Sequence, residues 1–272
     1  MNKKSFGNKL VASPYIVWSA IFIIVPLVIM FYFALTDNNG VFTLANITAI
    51  GKYKKAFGIS ILYAAVSTVI TLLLAYPMAY FMTKLKISSQ RMLFMIVMIP
   101  MWMNFLIRTY AWMTILQDSG IINGLLAKIG LSPVHVIGTE TAVIIGMVYD
   151  YFPYMILPIY SILAKLDGRL IEAARDLGCN GGSVLRRVIF PLSLPGVISG
   201  VTMVLIPSIS TFYISQKLGS GKFFLIGDAI EGQYVANNLH FAAAIAFILM
   251  LILLVGMAVM KHFTTKRLYG GD

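Results

Sequence analysis

The chain has 272 residues, of which 59% are hydrophobic and only 11% are charged, and its mean hydropathy is +0.87. Because about a quarter of the residues of an ordinary soluble domain are charged, this composition indicates an integral membrane protein. In a membrane protein, the formal net charge of +11 first indicates which loops face the cytoplasm. Nucleic acid is therefore not an expected partner. The single cysteine, Cys179, excludes an internal disulfide and a cluster of thiolate metal ligands.

Six apolar segments are long enough to cross a bilayer, which takes about 20 helical residues. They are residues 14–35, 59–83, 92–116, 140–164, 188–216 and 241–260. The fifth is interrupted by Pro191, Pro195 and Pro207. The first is about twice as long as the apolar region of a signal peptide and lacks an Ala-x-Ala exit, so we expect it to be a retained span. The sequence predicts an all-α membrane domain over 14–260.

The basic residues indicate how the six segments are oriented. Taken alternately, the loops on one side carry fourteen lysines and arginines, whereas those on the other side carry six, and Arg108 lies inside the third segment. Basic residues are enriched in cytoplasmic loops. We therefore expect both termini in the cytoplasm, with a cytoplasmic N-terminal segment at 1–13 and a cytoplasmic tail at 261–272.

Motifs for catalysis and metal binding are absent from the sequence. The run from Gly219 to Lys222 resembles the end of an ATP-binding loop, but Phe223 replaces the required hydroxyl residue and Gln216 the leading glycine. The three histidines lack the i, i+4 spacing of a helical metal site, and there is no Gly-x-Ser-x-Gly elbow. We expect no catalytic residue, no metal site and no cofactor on this chain, which is therefore not expected to be an enzyme.

The longest predicted cytoplasmic loop, 165–187, carries the most informative pattern. Apolar residues at helical spacing predict a short amphipathic helix over 170–177, and Gly178 provides its C-terminal stop. A second basic segment, 183–187, leads into the fifth predicted span. Such a helix could lie on the membrane surface or contact a partner protein.

This loop resembles the EAA motif of ABC importer permeases, in which Glu-Ala-Ala is followed after three residues by glycine and, nine residues later, by Ile-x-Leu-Pro. Val188 and Phe190 replace the isoleucine and leucine with other apolar residues. The resemblance implies a type I importer permease (MetI-like) with six transmembrane helices and a cytoplasmic coupling helix that seats in a separate ATPase. The residues it implicates in ATPase coupling are Glu172, Ala173, Ala174, Asp176, Gly178 and Arg186.

Two further stretches, 99–112 and 163–178, are similar to the permease subunits of spermidine/putrescine importers. This resemblance implies a multi-pass protein of the bacterial plasma membrane that moves polyamines inward. It also implies a second permease subunit, two copies of an ABC ATPase that bind ATP and magnesium, and an extracellular polyamine-binding protein. The outer loops lack a strongly acidic surface, which agrees with capture of the substrate by a separate protein.

A path for polyamines needs aromatic faces for cation–π contacts and a few carboxylates. The candidates are Trp102, Asn104, Arg108, Tyr110, Trp112, Tyr149, Asp150, Ser208 and Tyr213. Several have a structural alternative, because Asp150 and Arg108 could pair to lock two helices, tryptophans form interfacial belts, and small polar residues mediate helix packing. Arg108 would repel a polyamine unless it is neutralised.

Three other functions stay open at this point. The same fold could carry an anion or an amino acid, with Arg108 as the attracting group. A self-sufficient secondary transporter could use Asp150 and Arg108 with an ion gradient, although no matching half of the chain is found. An embedded enzyme would need a catalytic constellation that the sequence lacks.

Overall fold

The computed structural model describes residues 14–269, with side chains described through residue 260. The predicted cytoplasmic segment 1–13 lies outside the described residues, as do residues 270–272. Within the described range every named element is helical, and Thr36 and Phe42 form an isolated β-bridge. The helices are α1 (Pro14–Ala34), α2 (Lys54–Met82), α3 (Ile87–Trp102), α4 (Phe105–Leu116), α5 (Ile121–Lys128), α6 (Glu140–Leu163), α7 (Gly168–Asp176), α8 (Gly181–Ser210), α9 (Tyr213–Leu218), α10 (Ile226–Val235) and α11 (Leu239–Tyr269). A short helix at Ala45–Ala49 and a 3-10 turn at Ile50–Tyr53 lead directly into α2.

Five of these helices are long and apolar enough to cross a membrane on their own. They contain or closely match five of the six predicted segments, and α11 continues through Tyr269 into the segment predicted as a tail. The sixth crossing is a bent pair, in which α3 and the stretch Phe105–Lys128 meet at an angle of 98°. The described residues thus contain up to six spans, which confirms the predicted all-α membrane class.

The third span was expected to be continuous over 92–116, and this expectation is wrong. Met103, whose backbone is extended, and Asn104 separate α3 from α4. The Asn104 side chain accepts a hydrogen bond from the backbone N–H of Leu106 at 2.8 Å, so it acts as the N-cap of α4. An apolar run reveals membrane depth but does not reveal a capping residue that starts a second helix within it.

The fifth span differs in both its start and its end. The helix begins at Gly181, seven residues earlier than predicted, and continues through all three prolines to Ser210. A π-helical turn at Leu185–Ile189 precedes Pro191, which occupies the first turn of the regular α-helix. Prolines are tolerated there and within membrane helices when neighbouring groups satisfy the backbone. The chain breaks instead at Thr211–Phe212, before α9.

The chain divides into two compact units, one containing residues up to Lys54 with Ala229–Val255 and the other Lys55–Asp228 with residues from Gly256 onward. In the first unit, His240 Nδ1 lies 3.3 Å from Thr36 Oγ1 and 3.2 Å from the carbonyl oxygen of Phe33. These contacts connect the end of α1 to the start of α11. The Phe31 and Phe247 rings pack edge to face further along the same helices.

In the second unit, α6 and α8 approach closely because α8 carries two glycines four residues apart. A Cβ atom at Gly196 would lie 2.8 Å from the carbonyl oxygen of Pro158, and one at Gly200 would lie 3.0 Å from that of Met155. This is the small-residue spacing that lets membrane helices pack backbone to backbone. The α6–α8 contact forms the centre of the unit and includes buried Met155, Ile159 and Val197 among its apolar residues.

Candidate functional site

Arg108 and Asp150 form an ion pair between α4 and α6. Arg108 Nη1 lies 3.4 Å from Asp150 Oδ1, and the two side chains are 7% and 1% exposed. Beyond this pairing, Arg108 Nε and Nη1 and Asp150 Oδ1 have no hydrogen-bond partner in the described part of the chain. The pair thus neutralises both charges at membrane depth but leaves much of their hydrogen-bonding capacity unused, which is costly in a buried site.

Four side chains around the start of α9 form a second group, which we call the aromatic cluster: Phe105, Tyr110, Tyr213 and Lys217. The Tyr213 ring lies 6.1 Å from both the Phe105 and the Tyr110 ring centroids. Lys217 Nζ lies 5.3 Å from the centroid of Tyr110 and 5.5 Å from that of Tyr213. The guanidinium of Arg108 lies 5.7 Å from the Phe105 ring, so the cluster adjoins the buried ion pair.

The sequence pattern does not predict Lys217 or Asp228 as site residues. Lys217 follows Tyr213 by four positions, a spacing that places both on one helix face and could have indicated their contact. Asp228 Oδ2 accepts hydrogen bonds from Ser215 Oγ and from the backbone N–H of Leu225, both at 2.8 Å. Asp228 therefore caps the N-terminus of α10 and ties it to α9. The sequence suggested only an outer-loop charge at this position.

The remaining path candidates do not join the aromatic cluster. Trp112 and Tyr149 pack edge to face at 5.1 Å and line an open apolar groove of about 460 Å³. Trp102, at the end of α3, is 84% exposed. Ser208 is buried and donates to the carbonyl oxygen of Val204 at 2.6 Å, so its hydroxyl is used inside α8. The structure thus brings Arg108, Asp150, Tyr110 and Tyr213 into one neighbourhood. Asn104 precedes the cluster residue Phe105 and caps α4.

The predicted amphipathic helix is present as α7 (Gly168–Asp176). The Asp167 side chain accepts from the backbone N–H of Arg169 at 3.0 Å and caps its N-terminus. Ala174 is buried against the core of the unit, whereas Glu172, Ala173 and Asp176 are exposed. Of the Glu-Ala-Ala triplet, the second alanine therefore anchors the helix to its own chain, and the other two residues are accessible to a partner.

A tight turn joins α7 to α8. Gly178 has a φ of +81°, and the backbone N–H of Cys179 donates to the carbonyl oxygen of Ala174 at 3.1 Å, which is a glycine-based helix C-cap. Asn180 then caps α8 by accepting from the N–H of Ser183 at 2.9 Å. Leu177 at this turn is 86% exposed, and Arg186 is exposed on the following π-helical turn. The turn thus presents an apolar side chain among charges.

Residues 67–268 match the family described as the binding-protein-dependent transport system inner membrane component. The chain belongs to this family. It is 35% identical over 262 residues to the spermidine/putrescine transport system permease protein PotB of Haemophilus influenzae, covering 92% of this chain and 91% of that protein. It is therefore a membrane permease subunit, as the EAA motif predicted.

Solved structures agree on the fold. A chain of a bacterial alginate ABC transporter, solved in complex with an alginate pentasaccharide-bound periplasmic protein, matches with a TM-score of 0.81 at 15% identity, covering 97% of this chain and 95% of that chain. A chain of the MetNI methionine ABC transporter in an inward-facing conformation matches with a TM-score of 0.59 at 19% identity, covering 78% and 94%. The predicted MetI-like permease architecture is thereby confirmed.

Proposed function

We propose that this chain is a permease subunit of an ATP-driven importer that moves polyamines such as spermidine and putrescine into the cell. The similarity to PotB proteins over most of the chain supports this cargo. The observation that carries the proposal in the structure is the buried pair of Arg108 with Asp150. It removes the positive charge that would otherwise oppose a polycation at this depth.

The same pair disfavours one of the two rival transport functions, and the family match disfavours the other. An anion or amino-acid carrier would use Arg108 as an available cation, but its guanidinium is engaged with Asp150 and is only 7% exposed. Family membership also argues against a self-sufficient secondary transporter. In the proposed function, substrate is delivered by a separate extracellular binding protein, and a second permease subunit completes the path.

ATP binding and hydrolysis belong, in this proposal, to two copies of a separate ABC ATPase that hold the ATP and magnesium. Contact with the ATPase is made by the exposed face of α7 and the adjoining turn, from Glu172 to Gly178, with Arg186 beside it. An apolar side chain within a charged surface suits a protein partner, because burial of Leu177 would supply affinity and the charges specificity. In this proposal both termini and α7 lie on the cytoplasmic side.

The test is uptake of radiolabelled spermidine and putrescine by cells that lack this chain, carry it, or carry the Glu172→Lys or Gly178→Pro variant. We expect uptake to be lost without the chain, restored by the native chain, and absent with either variant. Proline cannot adopt the positive φ of Gly178, and Glu172→Lys reverses an exposed charge of α7. The variants should still insert into the membrane.

Lys86→Glu provides the matched control for the charge reversal, since Lys86 is also exposed and lies in another predicted cytoplasmic loop. Lys86→Glu should retain uptake, and the same amount of ATPase should co-purify with it as with the native chain. Less ATPase should co-purify with Glu172→Lys. Normal uptake by Glu172→Lys would contradict the coupling role, whereas polyamine uptake that does not depend on the chain would contradict the cargo.

A further inference from the structure

The ammonium of Lys217 lies against two aromatic rings. Its Nζ is 5.3 Å from the Tyr110 centroid and 5.5 Å from the Tyr213 centroid, within the distance of about 6 Å at which cation–π attraction operates. The two rings meet at 80°, so they form two walls of a corner that holds the cation. Among the described side chains, no carboxylate forms an ion pair with Lys217.

This corner is accessible rather than part of the closed core. Tyr110 is 43% exposed, and Tyr213 and Lys217 are each half-buried. Lys217 lies near the C-terminus of the short helix α9, whose position is fixed by the hydrogen bond from Ser215 to Asp228. The backbone that carries Tyr213 and Lys217 is therefore held in place, while the long side chain of Lys217 can leave the rings by rotating about its own bonds.

We infer that Tyr110 and Tyr213 form a binding subsite for a primary ammonium group of the substrate, and that Lys217 occupies this subsite as a tethered competitor when no substrate is present. This inference rests on the proposed polyamine function. A lysine side chain ends in the same alkylammonium group as putrescine or spermidine, so the corner that accepts one fits the other. Substrate binding then displaces Lys217 from the rings.

Lys217 would fill the subsite when no substrate is bound, and it would also help a bound polyamine to leave. An aromatic corner with no competing cation would retain a polyamine, whereas transport requires binding that is weak enough for the ligand to leave. Return of Lys217 to the rings replaces the ligand's contacts one for one. Removing its ammonium should therefore increase substrate affinity and slow release, and both effects should depend on the tyrosines.

The test is equilibrium binding of radiolabelled spermidine to the purified permease–ATPase complex in nanodiscs, without the binding protein, so that only the membrane site is measured. We expect Lys217→Gln to bind spermidine about three- to tenfold more tightly, the size of one cation–π contact. Tyr213→Leu should weaken binding. In the Lys217→Gln/Tyr213→Leu double variant the gain should disappear, because the subsite itself has been removed.

Two controls separate this mechanism from simple charge repulsion and from misfolding. Lys222→Gln removes the same charge from an exposed lysine of the same segment and should leave the affinity near that of the native complex. Lys217→Arg keeps a cation over the rings and should stay close to native. An equal gain in Lys217→Gln and Lys222→Gln, or a gain that survives Tyr213→Leu, would overturn the inference.

Transport by the native chain distinguishes failure of the inference from failure of the proposed function. If the assembled importer takes up spermidine and Lys217→Gln binds it no more tightly, the competitor role is wrong and the polyamine function stands. If the native importer takes up neither spermidine nor putrescine, the proposed cargo is wrong, and the inference fails with it.

Discussion

Arg108 and Asp150 lie buried against each other between α4 and α6, whereas Glu172 and Asp176 on α7 are exposed beside Leu177. In the first region the charges neutralise each other, and the surrounding helices exclude water. In the second region the charges lie beside an apolar side chain on the surface. The buried pair can act only on what reaches the interior of the unit, while α7 is accessible to a separate protein.

This difference separates two requirements of transport. A path through the membrane must not present an uncompensated charge, because an isolated charge at that depth costs several kcal/mol. A surface that receives a movement from another protein must instead expose side chains and still transmit force to its own chain. In the proposed coupling role, Ala174 would meet that second requirement, since it is buried against the core while its neighbour Ala173 is exposed.

The largest predicted effect comes from breaking the buried pair. Asp150→Leu should lower the free energy of unfolding by about 3–5 kcal/mol, because it leaves the Arg108 guanidinium buried without a counter-charge. The Arg108→Met/Asp150→Leu double variant should recover most of this loss. Denaturant unfolding of the purified protein in detergent would measure both, and a single variant as stable as the native protein would show that the pair does not control stability.

A smaller loss should follow from separating α6 from α8. Gly196→Leu should lower the free energy of unfolding by about 1–3 kcal/mol, as overpacked cores do, since its side chain would meet the α6 backbone at Pro158 and Ile159. Gly256→Leu is the matched control, because a Cβ atom at Gly256 meets nothing within 4 Å. Equal thermal stability of the two variants would contradict close packing of α6 against α8.

The two regions also differ in how far the sequence predicts them. The helix α7 and its glycine stop follow from contiguous residues, because helical spacing and a left-handed cap are local properties, and both are confirmed. The pairing of Arg108 with Asp150 was one of two open readings. Choosing between them requires knowledge of how α4 and α6 pack, and periodicity carries no such information.

Two features that the sequence did not predict depend on a capping residue and on contacts between residues far apart in the chain. The break before α4 depends on Asn104 as a cap within an apolar run. The aromatic cluster brings Tyr110 of α4 to Tyr213 and Lys217 of α9, and these residues are far apart in the chain. Membrane spans are readable from composition, but which faces of those spans meet is decided by packing.

The smallest predicted effect concerns the turn beneath α7 and compares two glycines within the exposed region. Gly178→Ala should destabilise the turn by about 1–2 kcal/mol, because a residue with a Cβ atom is strained in the left-handed conformation, and Gly178 has a φ of +81°. Gly181→Ala, at the first position of α8 with nothing near its Cβ, should be neutral or slightly stabilising. Amide hydrogen exchange over 168–189 would measure the difference. We expect faster exchange in Gly178→Ala alone, because its loss of stability should stay within α7 and its turn. Unchanged exchange in Gly178→Ala would show that the turn does not depend on glycine.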